Sequence, residues 1–398
     1  MRSAAEHLAQ VLALVAPPEP RVVALAEALG EVAAMDVRAT VALPPFDNSS
    51  MDGYAVRAAD VAVATESAPV GLAVAGESAA GHPWSGTVGP GQAARIMTGA
   101  PMPAGADTVV PQERVAATAG TVLVDAPAPA GQFVRRQGED ARPGDLVVRA
   151  GTMLGPRHLA AAASSGVDRL MVTRAPRVAY LVTGDELVAP GGSLAPGQIF
   201  DSNAAYLGAA LRALGADPVD LGSVGDRPED VVAAVVRAVE AGADLVVTTG
   251  GASVGAHDPV KAGLAPAGVT FLDVAIQPGK PQGLGRVGGI PVVCLPGNPV
   301  AVAVCVEVFV GPAVRSMRGV PEPAWEPRRA REAWHCPPGR EQVMPVVIAA
   351  DGVRPATAGG SGSHLAASLA AADGLARVRA EADEVAVGDI VAVRRFTA

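Results

Sequence analysis

Two polar turns, each following a short apolar run, contain the residues of this sequence that are best suited to hold an anion. The first follows residues 245–247 and contains the hydroxyl and glycine residues Thr249, Gly250, Gly251, Ser253 and Gly255. The second follows residues 290–295 and consists of Pro296, Gly297, Asn298 and Pro299. Short apolar runs are typical of buried parallel strands, and loops at the carboxyl ends of such strands present backbone N–H groups to ligands. The two turns therefore predict a site for an anionic ligand.

An alternation of strand and helix patterns over residues 174–318 would position both turns. Further strands are predicted at 177–182 and from 219, and helices are predicted after Asp201 and from Pro228. The helix from Pro228 has valines at helical spacing, and proline is common in the first turn of a helix. This alternation predicts right-handed βαβ units and a sheet covered by helices on both faces.

The remaining regions have different patterns. Helices are predicted at 3–16, 22–29 and 156–164, short strands over 46–140, and alternating strands at 343–348, 375–378 and 389–393. We therefore predict a multidomain α/β protein. Its domains are an N-terminal helical and extended linking domain (1–45 plus 141–173), a β-rich insertion domain (46–140), a three-layer α/β domain (174–318) and a C-terminal β-barrel domain (319–398).

Composition excludes several classes of function. The chain has 398 residues, of which 49% are hydrophobic and 18% charged, and its net charge of −9 argues against general binding to nucleic acid. The most apolar run, 300–310, is interrupted by Glu307, so no membrane-spanning segment is predicted. No signal-peptide pattern is present at the N-terminus. The three cysteines form no C-x-x-C pair and are predicted to be core thiols of a protein in a reducing cytoplasm.

Six short motifs follow one another along nearly the whole chain. They are Leu-Pro-Pro-Phe-Asp-Asn-Ser-Ser-Met-Asp-Gly-Tyr-Ala (43–55), Arg-Ile-Met-Thr-Gly-Ala (95–100), Gly-Glu-Asp (138–140), Thr-Gly-Asp-Glu-Leu (183–187), Thr-Gly-Gly-Ala-Ser-Val-Gly (249–255) and Leu-Pro-Gly-Asn-Pro-Val (295–300). Each motif alone is weakly specific. In this order and spacing, the chain resembles the molybdopterin molybdenumtransferase family, which comprises the MoeA proteins, the plant E domains and the gephyrin E domain.

The resemblance implies an elongated, four-domain homodimer that inserts molybdate into adenylylated molybdopterin. The products would be molybdenum cofactor and AMP, and Mg²⁺ would be required. Residues 174–318 would be the molybdopterin-binding domain, and the site would be shared between subunits, with Asp52 acting on the partner's α/β domain. The resemblance also makes Thr98 and Asp140 candidate catalytic residues. A molybdopterin adenylyltransferase and molybdoenzyme apoproteins are the implied partners; neither nucleic acid nor a membrane is expected.

The implied reaction opens a phosphoanhydride with water, which normally needs a divalent cation to neutralise the phosphates. Mg²⁺ prefers oxygen ligands and keeps several waters. The carboxylates that suit it are Asp52, Asp140, Glu186, Asp226 and Asp258, of which we predict Glu186, Asp226 and Asp258 as the metal ligands.

Each carboxylate also has a purely structural interpretation. Glu186 and Asp226 follow strand ends, where they could form turns or cap helices, and Asp258 could cap the helix that begins at Pro259. Asp52 lies in an Asp-Gly turn dipeptide. Asp140 lies among arginines with which it could form a surface ion pair.

Molybdate is a dianion and needs donors apart from the carboxylates. The candidates are Lys280, Arg340, Ser361 and Ser363. The family usually has a second lysine where this chain has Gln277, and often a serine where it has Ala301. The loss of one positive charge is expected to weaken or reshape molybdate binding, while adenylate binding and hydrolysis need not suffer.

Other functions remain as alternatives. Residues 251–255 also match G-x-S-x-G, the nucleophile elbow of serine hydrolases, with Ser253 as nucleophile, but the later histidines lie only in the terminal region. Residues 283–288 match G-x-G-x-x-G but precede a strand, which favours a hairpin over a dinucleotide site. A molybdopterin adenylyltransferase resembles residues 174–318 alone, and a non-catalytic scaffold is a further alternative.

Overall fold

The structure is a computed structural model that describes residues 1–251, 258–357 and 366–397. Its helices in these ranges are α1 (Ala4–Leu14), α2 (Ala58–Val61), α3 (Pro156–Ser164), α4 (Asn203–Ala213), α5 (Pro228–Glu240), α6 (Pro259–Leu264), α7 (Pro299–Cys305), α8 (Gly311–Arg318) and α9 (Ala366–Leu369). Short 3₁₀ turns cover Leu25–Glu27 and Gln112–Arg114, and Val306–Val310 is π-helical.

The strands as far as the central sheet are β1 (Pro20–Ala24), β2 (Val32–Ala33), β3 (Val37–Arg38), β4 (Asn48–Ser49), β5 (Gly53–Val56), β6 (Val70–Ser78), β7 (Gln92–Ile96), β8 (Thr108–Pro111), β9 (Val115–Thr118), β10 (Thr121–Val124), β11 (Val134–Arg135), β12 (Leu146–Val148) and β13 (Arg169–Thr173). Those that follow are β14 (Arg177–Thr183), β15 (Leu187–Val188), β16 (Ile199–Phe200), β17 (Asp217–Val224), β18 (Leu245–Thr249), β19 (Val269–Asp273), β20 (Ile276–Gln277), β21 (Pro281–Val287), β22 (Ile290–Leu295), β23 (Glu326–Arg329), β24 (Trp334–His335), β25 (Glu341–Ala349), β26 (Gly352–Pro355), β27 (Gly374–Val378), β28 (Glu384–Val385) and β29 (Ile390–Arg395).

The chain packs into two compact units, residues 1–21, 151–153 and 171–398, and residues 22–150 and 154–170. In the first unit a six-stranded sheet has the order β17-β14-β18-β22-β21-β19. The strands β17, β14, β18 and β22 are parallel, whereas β21 is antiparallel to both of its neighbours. This is the α/β domain that the strand and helix alternation predicts.

Helices cover both faces of this sheet because successive strand residues point to opposite sides. Val247 and Leu295 belong to one core, with residues of α4 and α7. Val246 and Cys294 belong to the other, with residues of α5 and α6. The predicted three-layer arrangement is confirmed. The cysteines are buried and free, as predicted.

The strand register brings three loops to one edge of the sheet. Thr249 at the end of β18 pairs with Val182 of β14 on one side and with Leu295 of β22 on the other. The segments that follow these parallel strands therefore emerge side by side. On the opposite edge, β21 and β22 form a hairpin through Gly288 and Gly289, whose φ angles are +57° and +85°. The hairpin interpretation of residues 283–288 is thus confirmed.

The helical segment Pro299–Arg318 forms the centre of one core. By length and composition it could cross a membrane, with a mean hydropathy of 1.7, but 94% of its most apolar window is buried inside the protein. The expectation that Glu307 interrupts this apolar run was wrong, because the helical segment continues through Glu307. Its buried carboxylate lies 3.9 Å from a guanidinium nitrogen of Arg315 and 4.0 Å from one of Arg394. Burial makes this segment a core helix.

The second unit contains a six-stranded sheet of order β8-β5-β7-β6-β10-β9, in agreement with the β-rich character predicted for residues 46–140. The helix predicted at 156–164 is α3. The helix predicted at 22–29 was wrong, since residues 20–24 form strand β1 and a 3₁₀ turn follows. The β-branched Val22 and Val23 favour the extended conformation.

The C-terminal segment of the first unit is a small β domain. Its main sheet has the order β20-β25-β27-β29-β23, with β26 paired to β25, and β24 pairs with β28. The strands predicted at 343–348, 375–378 and 389–393 all lie in this sheet, around their own core. The domain limits that we draw within residues 1–173, and those at 174, 318 and 319, stay predictions.

Candidate functional site

A cavity of about 620 Å³ lies at the carboxyl edge of the central sheet. Of the residues that the sequence predicts for the site, its lining includes Glu186, Asp226, Gly250, Gly251, Asp258, Pro296, Gly297, Asn298 and Pro299. Ligands of open α/β sheets bind outside the carboxyl ends of the strands, where this cavity lies. The structure thus brings the glycine turns and the acidic loops to one place.

The two glycine turns approach each other closely at Gly250 and Gly297. A Cβ atom on Gly297 would lie 3.2 Å from the Cα atom of Gly250. Gly250 and Gly251 have φ angles of +84° and +58°, which side chains other than glycine rarely adopt. A Cβ atom on Gly250 would also lie 2.5 Å from the carbonyl oxygen of Thr183. Backbone atoms of Gly250 and Gly297 therefore face each other directly where the turns meet.

Buried polar side chains at the start of α4 stabilise the junction of the two turns. Asn203, the first residue of α4, donates from Nδ2 to the carbonyl oxygen of Gly297 (2.7 Å) and to Oγ1 of Thr249 (3.0 Å). Asp201 accepts hydrogen bonds from the backbone N–H groups of Asn203 and Ala204 at 2.9 and 3.0 Å. The sequence predicts only that residues 201–203 cap a helix, and Asp201 does so. The link from Asn203 to the turns was not predicted.

Glu186 and Asp226 are exposed carboxylates on neighbouring loops of the cavity. The Glu186 side chain folds over Gly184, where an added Cβ atom would lie 2.4 Å from its Oε2. The loop of Asp226 is tied to the loop of Glu186, because the Asp226 N–H donates to Oδ1 of Asp185 at 3.2 Å. Both carboxylates face solvent and are free of the desolvation cost that burial would impose.

Asp258 is more buried than Glu186 and Asp226 and caps a helix. It is 8% exposed, and its Oδ1 accepts from the backbone N–H of Lys261 at 3.1 Å, so it caps α6. Within residues 1–251, 258–357 and 366–397, no three or more His, Cys, Asp or Glu side chains are grouped as a metal centre. Mg²⁺ often uses one or two carboxylates together with substrate phosphates. The exposed pair Glu186 and Asp226 fits that mode.

An apolar wall on one side of the cavity was not predicted from the sequence. Ile199 and Phe200 line it and are 54% and 45% exposed. They form β16, which pairs in parallel with β15 (Leu187–Val188) directly after Glu186. The two apolar residues before Asp201 are the only signal in the sequence, and they do not by themselves indicate that both side chains remain open to solvent. The exposed Phe200 ring in this apolar wall suits a flat ligand ring.

The predicted basic donors are not in the cavity lining: Lys280 lies between β20 and β21, and Arg340 lies directly before β25. Lys280 pairs with Asp273, its Nζ lying 3.0 Å from Oδ2. Arg340 donates from Nη1 to Oε1 of Gln277 at 2.7 Å. Since the family usually has a lysine at position 277, the Arg340 guanidinium places a positive charge next to the position where that lysine is absent.

Several predicted residues lie outside the described part of the chain. These are Ser253, Gly255, Ser361 and Ser363. The geometry of the G-x-S-x-G match and the role of the two later serines therefore stay predictions.

In the second unit, two of the predicted catalytic residues are in contact. Oδ1 of Asp52 accepts hydrogen bonds from the backbone N–H of Thr98 (2.6 Å) and from its Oγ1 (2.7 Å). These two hydrogen bonds, the backbone one foremost, lower the pKa of the Asp52 carboxyl. Asp140 is exposed and its backbone N–H donates to Leu43 O at 2.9 Å. Among the arginines near Asp140 in sequence, Arg136 pairs with Asp47 at 2.7 Å.

Comparison with known proteins covers most of the chain. Residues 2–166 match the MoeA N-terminal region (domains I and II), residues 179–316 match the probable molybdopterin binding domain, and residues 327–396 match the MoeA C-terminal region (domain IV). Molybdopterin molybdenumtransferase 2 of Mycobacterium tuberculosis is 40% identical over 98% of this chain and 98% of its own length. The chain belongs to the MoeA family of molybdopterin molybdenumtransferases.

Other members of the MoeA family extend the match. The molybdopterin molybdenumtransferase of Haemophilus influenzae is 38% identical over 76% of this chain and 74% of its own. Two crystal structures of a molybdopterin biosynthesis MoeA protein from Pyrococcus horikoshii match with TM-scores of 0.90 and 0.84, at 34% and 26% identity. They cover 99% and 100% of this chain, and 98% and 100% of their own chains. The resemblance carried by the six motifs is confirmed.

Proposed function

We propose that this MoeA-family protein acts in the cytoplasm and inserts molybdate into adenylylated molybdopterin, with release of AMP. The observation that carries the proposal is one cavity lined both by residues of the two glycine turns and by two exposed carboxylates. Glycine turns suit a phosphorylated, anionic ligand, and carboxylates suit the cation that such a ligand brings with it. The names of the relatives fix the class of reaction.

The turns provide the phosphate contacts. Gly250, Gly251 and Gly297 lie where the two parallel strands end and line the cavity, so their backbone N–H groups are the proposed donors to a phosphate. Backbone N–H groups at such a position bind a phosphate through their partial positive charges. They add no full positive charge that would also attract molybdate.

The carboxylates serve the hydrolytic step. Glu186 and Asp226 would hold Mg²⁺, which would neutralise charge on the phosphates. In that step the oxygen of water attacks phosphorus, the anhydride P–O bond breaks, and AMP leaves with the electron pair. A carboxylate of the same pair accepts the proton of the attacking water. Asp258 contributes mainly by fixing the start of α6, since one of its oxygens is already engaged there.

The apolar wall would contact the pterin, and the two basic side chains would contact the molybdate. Ile199 and Phe200 would pack against the flat pterin, because an aromatic face binds a planar ring without needing charge. Arg340 and Lys280 would attract molybdate, because a guanidinium and an ammonium both suit an oxyanion. Ser361 and Ser363 remain proposed donors to the same anion.

We also propose a homodimer in which Asp52, Thr98 and Asp140 complete the partner's site. The support is the Asp52 carboxylate, which two Thr98 donors hold in a fixed, ionised state at a solvent-accessible position. An adenylyltransferase that makes the substrate and apoproteins that accept the product are the partners that the reaction requires. If cofactor reached an apoprotein equally well through free solution, direct partnership would be ruled out.

The alternatives have less support. A molybdopterin adenylyltransferase would need only the central domain, whereas the matches extend over both flanking regions. A serine hydrolase using Ser253 and a scaffold protein find no counterpart among the relatives cited above.

The proposed reaction is tested by incubating the purified protein with adenylylated molybdopterin, Mg²⁺ and molybdate, and by following AMP and bound molybdenum. Both products are expected to appear together. Absence of AMP would remove the transferase proposal. AMP without bound molybdenum would place the defect at the Gln277 and Ala301 positions, and labelling by a fluorophosphonate would instead favour the hydrolase.

A further inference from the structure

One buried amide joins the two turns of the cavity to a third element of the fold. Asn203 is 7% exposed, and its Nδ2 lies 2.7 Å from the carbonyl oxygen of Gly297 and 3.0 Å from Oγ1 of Thr249. The Gly297 carbonyl can only accept a hydrogen bond, which fixes the nitrogen of the amide on that side. A single side chain therefore bonds both turns at once.

The position of Asn203 is itself fixed by hydrogen bonds that involve Asp201. Oδ1 of Asp201 accepts from the Asn203 N–H at 2.9 Å, and Oδ2 of Asp201 accepts from Oγ of Ser223 at 3.2 Å. Ser223 belongs to β17, the outermost parallel strand. The position of the amide is thus set by the start of α4 and by a strand on the far side of the sheet.

The oxygen of the Asn203 side-chain amide lacks a hydrogen-bond partner within the described part of the chain. This Oδ1 atom is also buried. An unpaired buried acceptor is unfavourable, and most buried polar atoms are paired. An apolar residue at the start of α4 would avoid that penalty. The two donor bonds from Nδ2 are what an apolar residue could not supply.

We propose that Asn203 is a positioning residue for substrate binding, which locks residues 249–251 and 296–299 together so that the N–H groups of Gly250, Gly251 and Gly297 converge on one phosphate. The identity of the bound substrate rests on the proposed function. The mechanical role does not, because it follows from the bonds that Asn203 makes in the free protein. Without them the turns would still touch at Gly250 and Gly297 but would be free to separate.

The test compares Asn203→Ala and Asn203→Asp with wild type by amide hydrogen exchange and by AMP release. Asn203→Asp has nearly the same shape but sets an oxygen against the Gly297 carbonyl. Both variants are expected to exchange the amides of the two turns about 10-fold faster. The KM for adenylylated molybdopterin should rise about 10-fold while kcat changes less than threefold.

Thr248→Val is the matched control. Thr248 lies on the same strand as Thr249 and is fully buried, but it points to the opposite face of the sheet. This variant is expected to leave turn exchange and KM unchanged. Thr249→Val, which removes one of the two bonds, should give an intermediate effect of about threefold and serves if the Asn203 variants fail to fold.

Unchanged exchange in both turns would overturn the proposal, and so would uniform acceleration throughout the α/β domain, which would indicate a merely structural role. If wild type itself releases no AMP, the proposed function fails. Faster exchange confined to the two turns would still support the positioning role in that case.

Discussion

Replacing Gly250 with alanine tests whether the turn after β18 requires glycine for two separate reasons. Its φ angle is +84°, and an added Cβ atom would lie 2.5 Å from the Thr183 carbonyl oxygen and 2.8 Å from Thr183 Oγ1. The left-handed conformation costs an L-residue about 1–2 kcal/mol. Overpacking against a neighbouring strand end adds about 1–3 kcal/mol. The expected loss in local free energy of unfolding is therefore about 2–5 kcal/mol.

Gly222→Ala separates the two costs. Gly222 has nearly the same φ angle, +82°, but nothing lies within 4 Å of the added Cβ atom. Only the conformational cost of about 1–2 kcal/mol is expected there. Native-state hydrogen exchange of β14 and β18 amides measures the local free energies in both variants. A difference between the variants of less than about 0.5 kcal/mol would refute the steric argument, since independent effects agree within that range.

Three further predictions concern charge and assembly. Thr98→Val removes one of the two donors to Asp52 and should raise the pKa of that carboxyl part of the way to its ordinary value; NMR titration measures it, and an unchanged pKa would contradict the hydrogen-bond account. The pKa of the Asp52 carboxyl is lowered in the folded protein, so its stabilising contribution is present above the unfolded pKa and is lost as pH falls through the folded pKa. The same variant should therefore weaken the acid dependence of unfolding. Arg340→Met should raise the KM for molybdate about 10-fold, as expected for loss of a charge-assisted hydrogen bond, while Arg328→Met, on an exposed strand, should leave it unchanged; equal effects would argue against a specific anion contact. Mixed dimers of Asp52→Ala and Asp226→Ala subunits should recover part of the activity that each homodimer lacks, and no recovery after demonstrated subunit exchange would exclude a shared site.

The elements of the central domain could be predicted because their signals are local and agree with one another. Residues 290–295 form an apolar run bounded by glycine and proline, and β22 has these limits. The helix predicted from Pro228 is α5. The region around Val22 was predicted wrongly because a short stretch with helical spacing also suits a strand, and tertiary pairing decides between them.

Only those site residues could be predicted whose type and position in the chain already indicate a role. The glycine turns and the acidic loops were found because each follows a strand end, where ligands bind. Asn203 was missed because a helix-start asparagine is usually a cap, and its contacts lie 46 and 94 residues away in sequence. Likewise, the ion pair of Lys280 with Asp273 depends on the pairing of β19 with β21 rather than on the proline-flanked turn.

The wall formed by Ile199 and Phe200 shows a different limit. Two adjacent apolar residues normally predict burial of at least one side chain, since neighbours in a strand point to opposite faces. Both are exposed here, because β15 and β16 form a separate two-stranded sheet beside the cavity. Only the location of that small sheet indicates a role in binding.

The most direct test of the account is the effect of Asp226→Ala on AMP release and on substrate binding, measured on the same preparation. Asp230→Ala is the control, because Asp230 lies on α5 and pairs with Arg227 outside the lining of the cavity. We predict that Asp226→Ala lowers the rate of AMP release at least about 100-fold, or about 2.7 kcal/mol of barrier, while the Kd for adenylylated molybdopterin changes less than about threefold. AMP release at the wild-type rate from Asp226→Ala would contradict the claim that this acidic loop serves the cleavage of the nucleotide.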